Sequence, residues 1–155
     1  MKKKLLSILL TAAMATTVVS GTALIVNADS EGDLSGKTFA IVIRNSGNPY
    51  AEKEADGFKQ VIEAAGGECI IKSPEIATAD AQIPLIQSLI SQEVDAIAIA
   101  SNDVNALTAC LQDAMDEGIK VLSLDSNVVP EARQTFVNQA GVTEIGQALA
   151  DAVYD

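Results

Sequence analysis

Short apolar runs that each end at a cluster of small polar residues constrain the fold of this chain more than any other feature. Unbroken apolar runs of this length are typical of strands buried on both faces, and such strands form parallel sheets. The stretches between them have helical periodicity, as parallel crossovers require. Ligands of parallel sheets bind at the carboxyl ends of the strands, so the polar clusters are predicted to line a site at one edge. The runs and their clusters are residues 39–43 and 44–48, 96–100 and 101–103, and 121–124 and 125–127.

The order of the predicted elements indicates an α/β fold with a doubly wound parallel sheet of strand order 2-1-3-4-5. The switch point of this topology lies between the first and third strands. Strands are predicted at residues 38–43, 68–73, 96–100, 120–124 and 135–138. Helices are predicted at residues 50–65 and 77–91, from a cap at Asn102 or Asp103 to Gly118, and at 142–155. The first helix has apolar residues at three- and four-residue spacing that are predicted to face the sheet: Ala51, Ala55, Phe58, Val61, Ile62 and Ala65.

The N-terminus predicts export. Residues 1–28 combine a basic start with a long uncharged apolar stretch and small residues at the end, as a secretory signal peptide does. An uncleaved membrane anchor is the alternative, because the apolar stretch is long for a signal. Residues 19–22 resemble the lipobox of bacterial lipoproteins, but Thr22 stands where the lipidated cysteine is required. We expect a protein in the periplasm or at the outer face of the cell membrane, with contact to the membrane only through this segment.

Beyond the signal, residues 29–36 form a polar leader and residues 37–155 one domain. Without the signal, seven basic residues face 21 acidic ones, and no basic stripe is present, so nucleic acid is not an expected partner. The chain has no histidine and no Cys-x-x-Cys, which excludes a Ser-His-Asp triad and the common zinc sites. One glycine, Gly47, is too few for a phosphate loop. No metal or cofactor is predicted.

The two cysteines fall in apolar surroundings, Cys69 in a predicted strand and Cys110 in a predicted helix. Two buried free thiols are the favoured interpretation. Export permits a disulfide between them as the alternative.

The polar clusters favour a small hydroxylated ligand. Guanidinium and amide groups donate hydrogen bonds to hydroxyl oxygens, and an aromatic face packs against the C–H patches of a sugar ring. Asp125 directly follows an apolar strand, and a carboxylate can accept bonds from two neighbouring hydroxyls. The predicted ligand-binding residues are Arg44, Asn48, Tyr50, Ser101, Asn102 and Asp125.

Two of these positions allow other roles, and a third residue beside them is excluded from the set. Tyr50 also suits a surface residue at the start of a helix, and Asp125 also suits a cap of the turn that follows it. Asp103 is interpreted as a helix cap and not as a ligand group. The set contains no nucleophile–base pair and no second carboxylate at glycosidase spacing, so binding without reaction is predicted and no catalytic residue is assigned.

The sequence resembles the type I periplasmic substrate-binding proteins of sugar ABC transporters, over residues 37–155. The resemblance is carried by Asn-Pro-Tyr at residues 48–50, by residues 93–97 and by residues 118–126. It is closest to the branch that binds rhamnose and furanose autoinducers, through Asp125-Ser126, Pro130-Glu131, Arg133 and residues 136–139.

The resemblance implies ligand contacts at Arg44, Asn48, Tyr50 and Asp125. That branch often has lysine at the position of Arg44 and a second aromatic residue at Ala51, so the departures leave the identity of the sugar open. Members of the family are two-lobed clamshells of about twice this length that close on their ligand. We therefore expect this chain to represent the N-terminal lobe, without the second lobe.

The predicted function is the substrate-binding component of a sugar ABC importer. It would bind a monosaccharide such as rhamnose, or a furanose autoinducer, and deliver it to permease subunits. The alternative is an exported sugar-sensing module that feeds a receptor or a histidine kinase.

Overall fold

A computed structural model describes residues 32–154, which form one five-stranded parallel sheet of order β2-β1-β3-β4-β5. This α/β architecture and strand order confirm the prediction. The strands are β1 (Thr38–Val42), β2 (Glu68–Lys72), β3 (Ala96–Ile99), β4 (Lys120–Leu124) and β5 (Thr135–Val137). The helices are α1 (Pro49–Ala64), α2 (Ala79–Ser91), α3 (Thr108–Asp116) and α4 (Val142–Tyr154), with a 3-10 turn at Pro130–Ala132.

Different helices pack against the two faces of the sheet. Alternate residues of β1 point to opposite faces, so Ala40 and Val42 join the core beneath α2 and α3, while Ile41 packs with α1 on the other face. The loop after β1 therefore leads to one face and the loop after β3 to the opposite face. This places the switch point between β1 and β3, as predicted.

A buried amide joins the two strands at the switch point. Gln82 of α2 is fully buried. Its Nε2 donates to the carbonyl oxygens of Ile43 at 3.2 Å and Ala100 at 2.8 Å. Its Oε1 accepts from the backbone N–H of Asn102 at 2.9 Å. One side chain thus satisfies three backbone groups where the strand ends diverge.

Two local predictions were wrong. α3 begins at Thr108, not near Asn102 or Asp103, because the Asp103 carboxylate instead caps a separate turn by accepting from the N–H groups of Asn105 and Ala106, both at 2.8 Å. Val61 was predicted to face the sheet but is 63% exposed. It lies one residue beyond the stripe of α1 that packs inward, and one residue turns a helix by about 100°.

Both cysteines are free thiols, on opposite faces of the sheet, but Cys69 is only half-buried where burial was predicted, because β2 is an edge strand. Cys69 pairs in register with Phe39 in β1, while Cys110 is buried in the core beneath α2 and α3. Burial raises the pKa of both thiols, which lowers their reactivity.

The predicted signal peptide, its lipobox-like segment and the first part of the polar leader lie outside residues 32–154. Within that range, no helix combines the length and apolar character needed to cross a membrane. α4 follows β5 and buries none of its described residues against the rest of the domain.

The role of Gln82 generates a stability prediction. Gln82→Met keeps the volume of the side chain but leaves three buried backbone groups without partners, each costing roughly 1–3 kcal/mol. We expect the free energy of unfolding in urea to fall by about 3 kcal/mol or more. Gln87→Met, at an exposed position of the same helix, is the matched control and should change it by less than about 0.5 kcal/mol. Equal stability of the two variants would contradict the proposed role.

Candidate functional site

Arg44 is the centre of a hydrogen-bond network at the carboxyl edge of the sheet. It follows β1, and its Nε donates to Oδ1 of Asn102, which follows β3, at 3.3 Å. Asn102 returns a bond from its Nδ2 to the carbonyl oxygen of Arg44 at 2.7 Å. The Nη1 of Arg44 donates to the hydroxyl of Ser126, which follows β4, at 2.8 Å. The three polar clusters therefore meet at one edge, with Arg44 between the other two.

Asp125 joins this network in a strained backbone conformation. Its φ is 57°, and the N–H of Ser126 donates to the carbonyl oxygen of Leu124 at 2.6 Å. A bond across one residue of positive φ defines the rare, strained γ-turn. The Ser126 hydroxyl also donates to Oδ2 of Asp125 at 3.2 Å. Strain of this kind persists where surrounding structure enforces it, and it is common at binding sites.

Two of the predicted ligand-binding residues, Asn48 and Ser101, have side chains that bond to nearby backbone groups. Asn48 is the N-cap of α1, where its Oδ1 accepts from the N–H groups of Tyr50 at 3.0 Å and Ala51 at 3.4 Å. Ser101 is 3% exposed, and its hydroxyl donates to the carbonyl oxygen of Asp103 and accepts from the N–H of that residue. These two side chains shape the loops that carry the site.

Tyr50 lies at the start of α1 and is 56% exposed. Its hydroxyl oxygen accepts a hydrogen bond from Nε2 of Gln139 at 3.0 Å. Gln139 belongs to the segment between β5 and α4, 89 residues away in sequence. The hydroxyl of Tyr50 is therefore bonded to a distant segment. Gln139 was named within residues 136–139, which carry the family resemblance, but it was not predicted as a site residue.

Glu54 is a second residue that the sequence analysis missed. Its Oε1 accepts from Nε2 of Gln139 at 3.0 Å, while its Oε2 is buried without a hydrogen-bond partner among residues 32–154. Burial and then the negative charge of Asp125 raise the pKa of Glu54, and the bond from Gln139 opposes this. The position four residues after Tyr50 on a helix was a usable signal, because it places both side chains on one face.

Tyr50 shares this electrostatic neighbourhood. Desolvation raises the pKa of its phenol first, followed by the charges of Glu54 and Asp125. The structure thus brings Tyr50, Glu54 and Asp125 close enough to influence one another. Residues 32–154 contain no group of three His, Cys, Asp or Glu side chains arranged to hold a metal ion.

A cavity lies at the other end of the sheet. Its volume is about 1050 Å³, and it is lined by the residues that precede or begin the strands, including Lys37, Asp95 and Lys120. Lys37 pairs with Asp95 at 2.7 Å there. We assign the site to the carboxyl edge nevertheless, because loops at that edge carry the converging polar groups and ligands of such sheets bind there.

The positive φ of Asp125 generates a prediction that separates backbone strain from side-chain chemistry. Glycine adopts positive φ without the Cβ clash that costs alanine about 1–2 kcal/mol. In urea denaturation, we expect Asp125→Gly to be more stable than Asp125→Ala by about 1 kcal/mol. Asp113 lies on the exposed face of α3, where alanine favours the helix. There we expect the alanine variant to be more stable than the glycine variant by about 1 kcal/mol. The same order at both positions would contradict the γ-turn.

The raised pKa of Glu54 generates a prediction about pH. A carboxyl whose pKa is raised by folding gives stability that is present below its unfolded value and lost as pH rises through its folded value. At pH 7, the ionised Glu54 carboxylate therefore lowers the stability of the wild-type protein. Glu54→Gln removes this charge and its destabilising effect. We expect the variant to melt at a higher temperature than wild type at pH 7, with the gain shrinking as pH falls through the folded pKa of Glu54. Asp56→Asn, exposed on the same helix, is the control; a gain independent of pH would refute the assignment.

A known protein family and a known relative match the sequence of this chain. The sequence profile of the family described as "Periplasmic binding protein domain" matches residues 39–155. The D-ribose/D-allose-binding protein of Pseudomonas aeruginosa is 28% identical over 121 residues, which cover 72% of this chain and 35% of that protein.

The chain also matches solved structures in both fold and sequence. An ABC transporter solute-binding protein from Clostridium phytofermentas with bound L-rhamnose is 55% identical, with a TM-score of 0.73, over 76% of this chain and 36% of that one. LsrB from Clostridium saccharobutylicum in complex with AI-2 is 28% identical, with a TM-score of 0.71, over the same shares. The chain spans about a third of the length of these relatives. The family match and the strand order together show that the chain belongs to the periplasmic binding protein family, in its type I fold.

Proposed function

We propose that this protein is the substrate-binding component of a sugar ABC importer, which binds a small hydroxylated ligand without chemical change. The observation that carries the proposal is the network joining Arg44, Asn102, Ser126 and Asp125 at the carboxyl edge of the sheet. The family match supports it, as do relatives whose names specify ribose, allose, L-rhamnose and AI-2.

The chemistry of this edge suits a polyol. Arg44 offers guanidinium N–H donors, Asp125 offers carboxylate acceptors, and Asn102 offers both kinds of group. Bonds between a charged group and a hydroxyl are about twice as strong as neutral ones, so the two ionised side chains supply most of the orientation. The exposed ring of Tyr50 offers an apolar face for the C–H side of a sugar ring.

Asn48 and Ser101 are assigned supporting parts in the proposed site. Asn48 uses its oxygen to cap α1, so its amide nitrogen is the group it presents to a ligand. Ser101 acts through the loop that its hydroxyl holds in place. The relatives are binding proteins, which supports a protein that is not an enzyme.

L-Rhamnose is the first ligand to test, because the relative that is 55% identical was solved with it. AI-2 and ribose follow, from relatives at 28% identity. Arg44 stands where rhamnose- and autoinducer-binding members often have lysine. Arginine adds a planar fork of donors in place of a point charge, so the preferred ligand places two acceptor oxygens towards it.

Localisation and partners complete the proposal. Residues 1–28 would direct export, and residues 37–155 would form the N-terminal lobe, which contributes one wall of the ligand cleft. The ligand would be delivered to permease subunits. The sensing alternative, a module that feeds a receptor or histidine kinase, has no observation that favours it over transport.

Calorimetry of the two-lobed protein, in which residues 37–155 are joined to a second lobe, tests the proposal with L-rhamnose, ribose and AI-2. Asp125→Ala removes a charged acceptor, worth about 1.5–3 kcal/mol for each bond to the ligand, so we expect affinity to fall by at least about a hundredfold. The melting temperature should change little. Asp113→Ala is the matched control and should bind as wild type does. A large fall in melting temperature with unchanged affinity would make Asp125 a structural cap, and wild-type protein that binds none of these ligands would refute sugar binding.

A further inference from the structure

We propose that Glu54 and Gln139 are positioning residues that hold the Tyr50 ring in place at the wall of the ligand site. This inference rests on the proposed function, since it assigns Tyr50 to the sugar. It concerns two side chains that the resemblance did not assign to the site.

The geometry of Gln139 supports the inference. Its Nε2 carries two hydrogens, so it can donate to Tyr50 and to Glu54 at the same time, each at 3.0 Å. The bond to Glu54 fixes the amide, and the fixed amide then holds the phenol oxygen. Glu54 therefore acts on Tyr50 through Gln139, with no direct contact to ligand required.

Tyr50 is a side chain that needs such support. It is 56% exposed in the first turn of α1. Ordering an exposed side chain on binding costs conformational entropy, and holding it beforehand removes that cost from the affinity. An exposed tyrosine whose hydroxyl is bonded to a residue 89 positions away is held by tertiary structure and not by its own helix.

The environment of Glu54 argues for a specific role. Its Oε2 is buried without a partner among the described residues, and Asp125 adds like charge from the end of β4. The other titratable group beside it is the phenol of Tyr50, on its own helix. Arg44 is connected to Asp125 through Ser126, because its Nη1 donates to the Ser126 hydroxyl that bonds to Asp125. A carboxylate in this unfavourable position keeps one useful contact, the bond from Gln139.

The same contacts also connect two parts of the chain. Gln139 lies between β5 and α4, and α4 itself buries none of its described residues. In the hydrogen bonds described for residues 32–154, Tyr50 and Glu54 are the partners through which α1 is tied to the segment that leaves β5. The orientation of Tyr50 is thus linked to the path of the chain beyond the sheet.

The first test measures L-rhamnose affinity by calorimetry in the two-lobed protein. Glu54→Ala removes the acceptor for Gln139, and Gln139→Glu replaces the donor with an acceptor of the same shape. Both should weaken binding by about tenfold. Glu54→Gln keeps an acceptor oxygen for Gln139, so its affinity should stay within about threefold of that of wild type. If the negative charge of Glu54 itself were responsible, this variant would also bind weakly. Asp56→Ala, an exposed carboxylate on the same helix, should bind as wild type does.

The second test follows Tyr50 without a ligand. The chain has no tryptophan and two tyrosines, so Tyr154→Phe leaves Tyr50 as its one tyrosine fluorophore. In that background, Glu54→Ala and Gln139→Glu should each lower the fluorescence anisotropy of Tyr50, and Glu54→Gln should preserve it.

These two tests separate the inference from the proposed function. Unchanged anisotropy in both disruptive variants would overturn the positioning role, whether or not sugar binds. Wild-type affinity in both variants would also overturn it. Lowered anisotropy in a protein that binds none of the sugars would support the contact and refute the sugar site instead.

Discussion

The structure depends on the way in which the ends of β1 and β3 are joined after their loops separate to opposite faces. A parallel sheet exposes unpaired backbone groups at such a switch point, and buried groups without partners are costly. The amide of Gln82 replaces the missing strand partners by bonding to Ile43, Ala100 and Asn102. Asn102 then pairs with Arg44, so one buried side chain determines where the polar edge begins.

The candidate site contains two energetically unfavourable features. Asp125 has positive φ in a γ-turn, and Glu54 keeps a buried carboxylate oxygen without a partner in the described chain. Elsewhere, the core is almost entirely apolar, and Asp103 and Asn48 use their side chains in ordinary caps. Unfavourable features at a candidate site are expected where binding, and not stability, sets the choice of residue.

The sheet was predictable because it depends on local patterns. Apolar runs of strand length, helical spacing between them and right-handed crossovers were enough for the strand order 2-1-3-4-5. Arg44, Asn102 and Asp125 were identified because each follows a strand directly, and such ends meet at one edge. The start of α3 was not predictable in this way, because an Asp that caps a turn and one that caps a helix have the same local sequence.

The residues missed by the sequence analysis share one property, which is that their roles depend on distant partners. Gln82 is an ordinary helical residue until the ends of two strands surround it, and Glu54 resembles a solvated charge on α1. Gln139 lies 89 residues from Tyr50, and no periodicity links the two. The sequence by itself determined the elements, their order and the edge at which polar groups collect, since these follow from burial patterns along the chain. Only the tertiary structure decided which polar groups meet, because hydrogen bonds between distant segments exist only after the sheet has assembled.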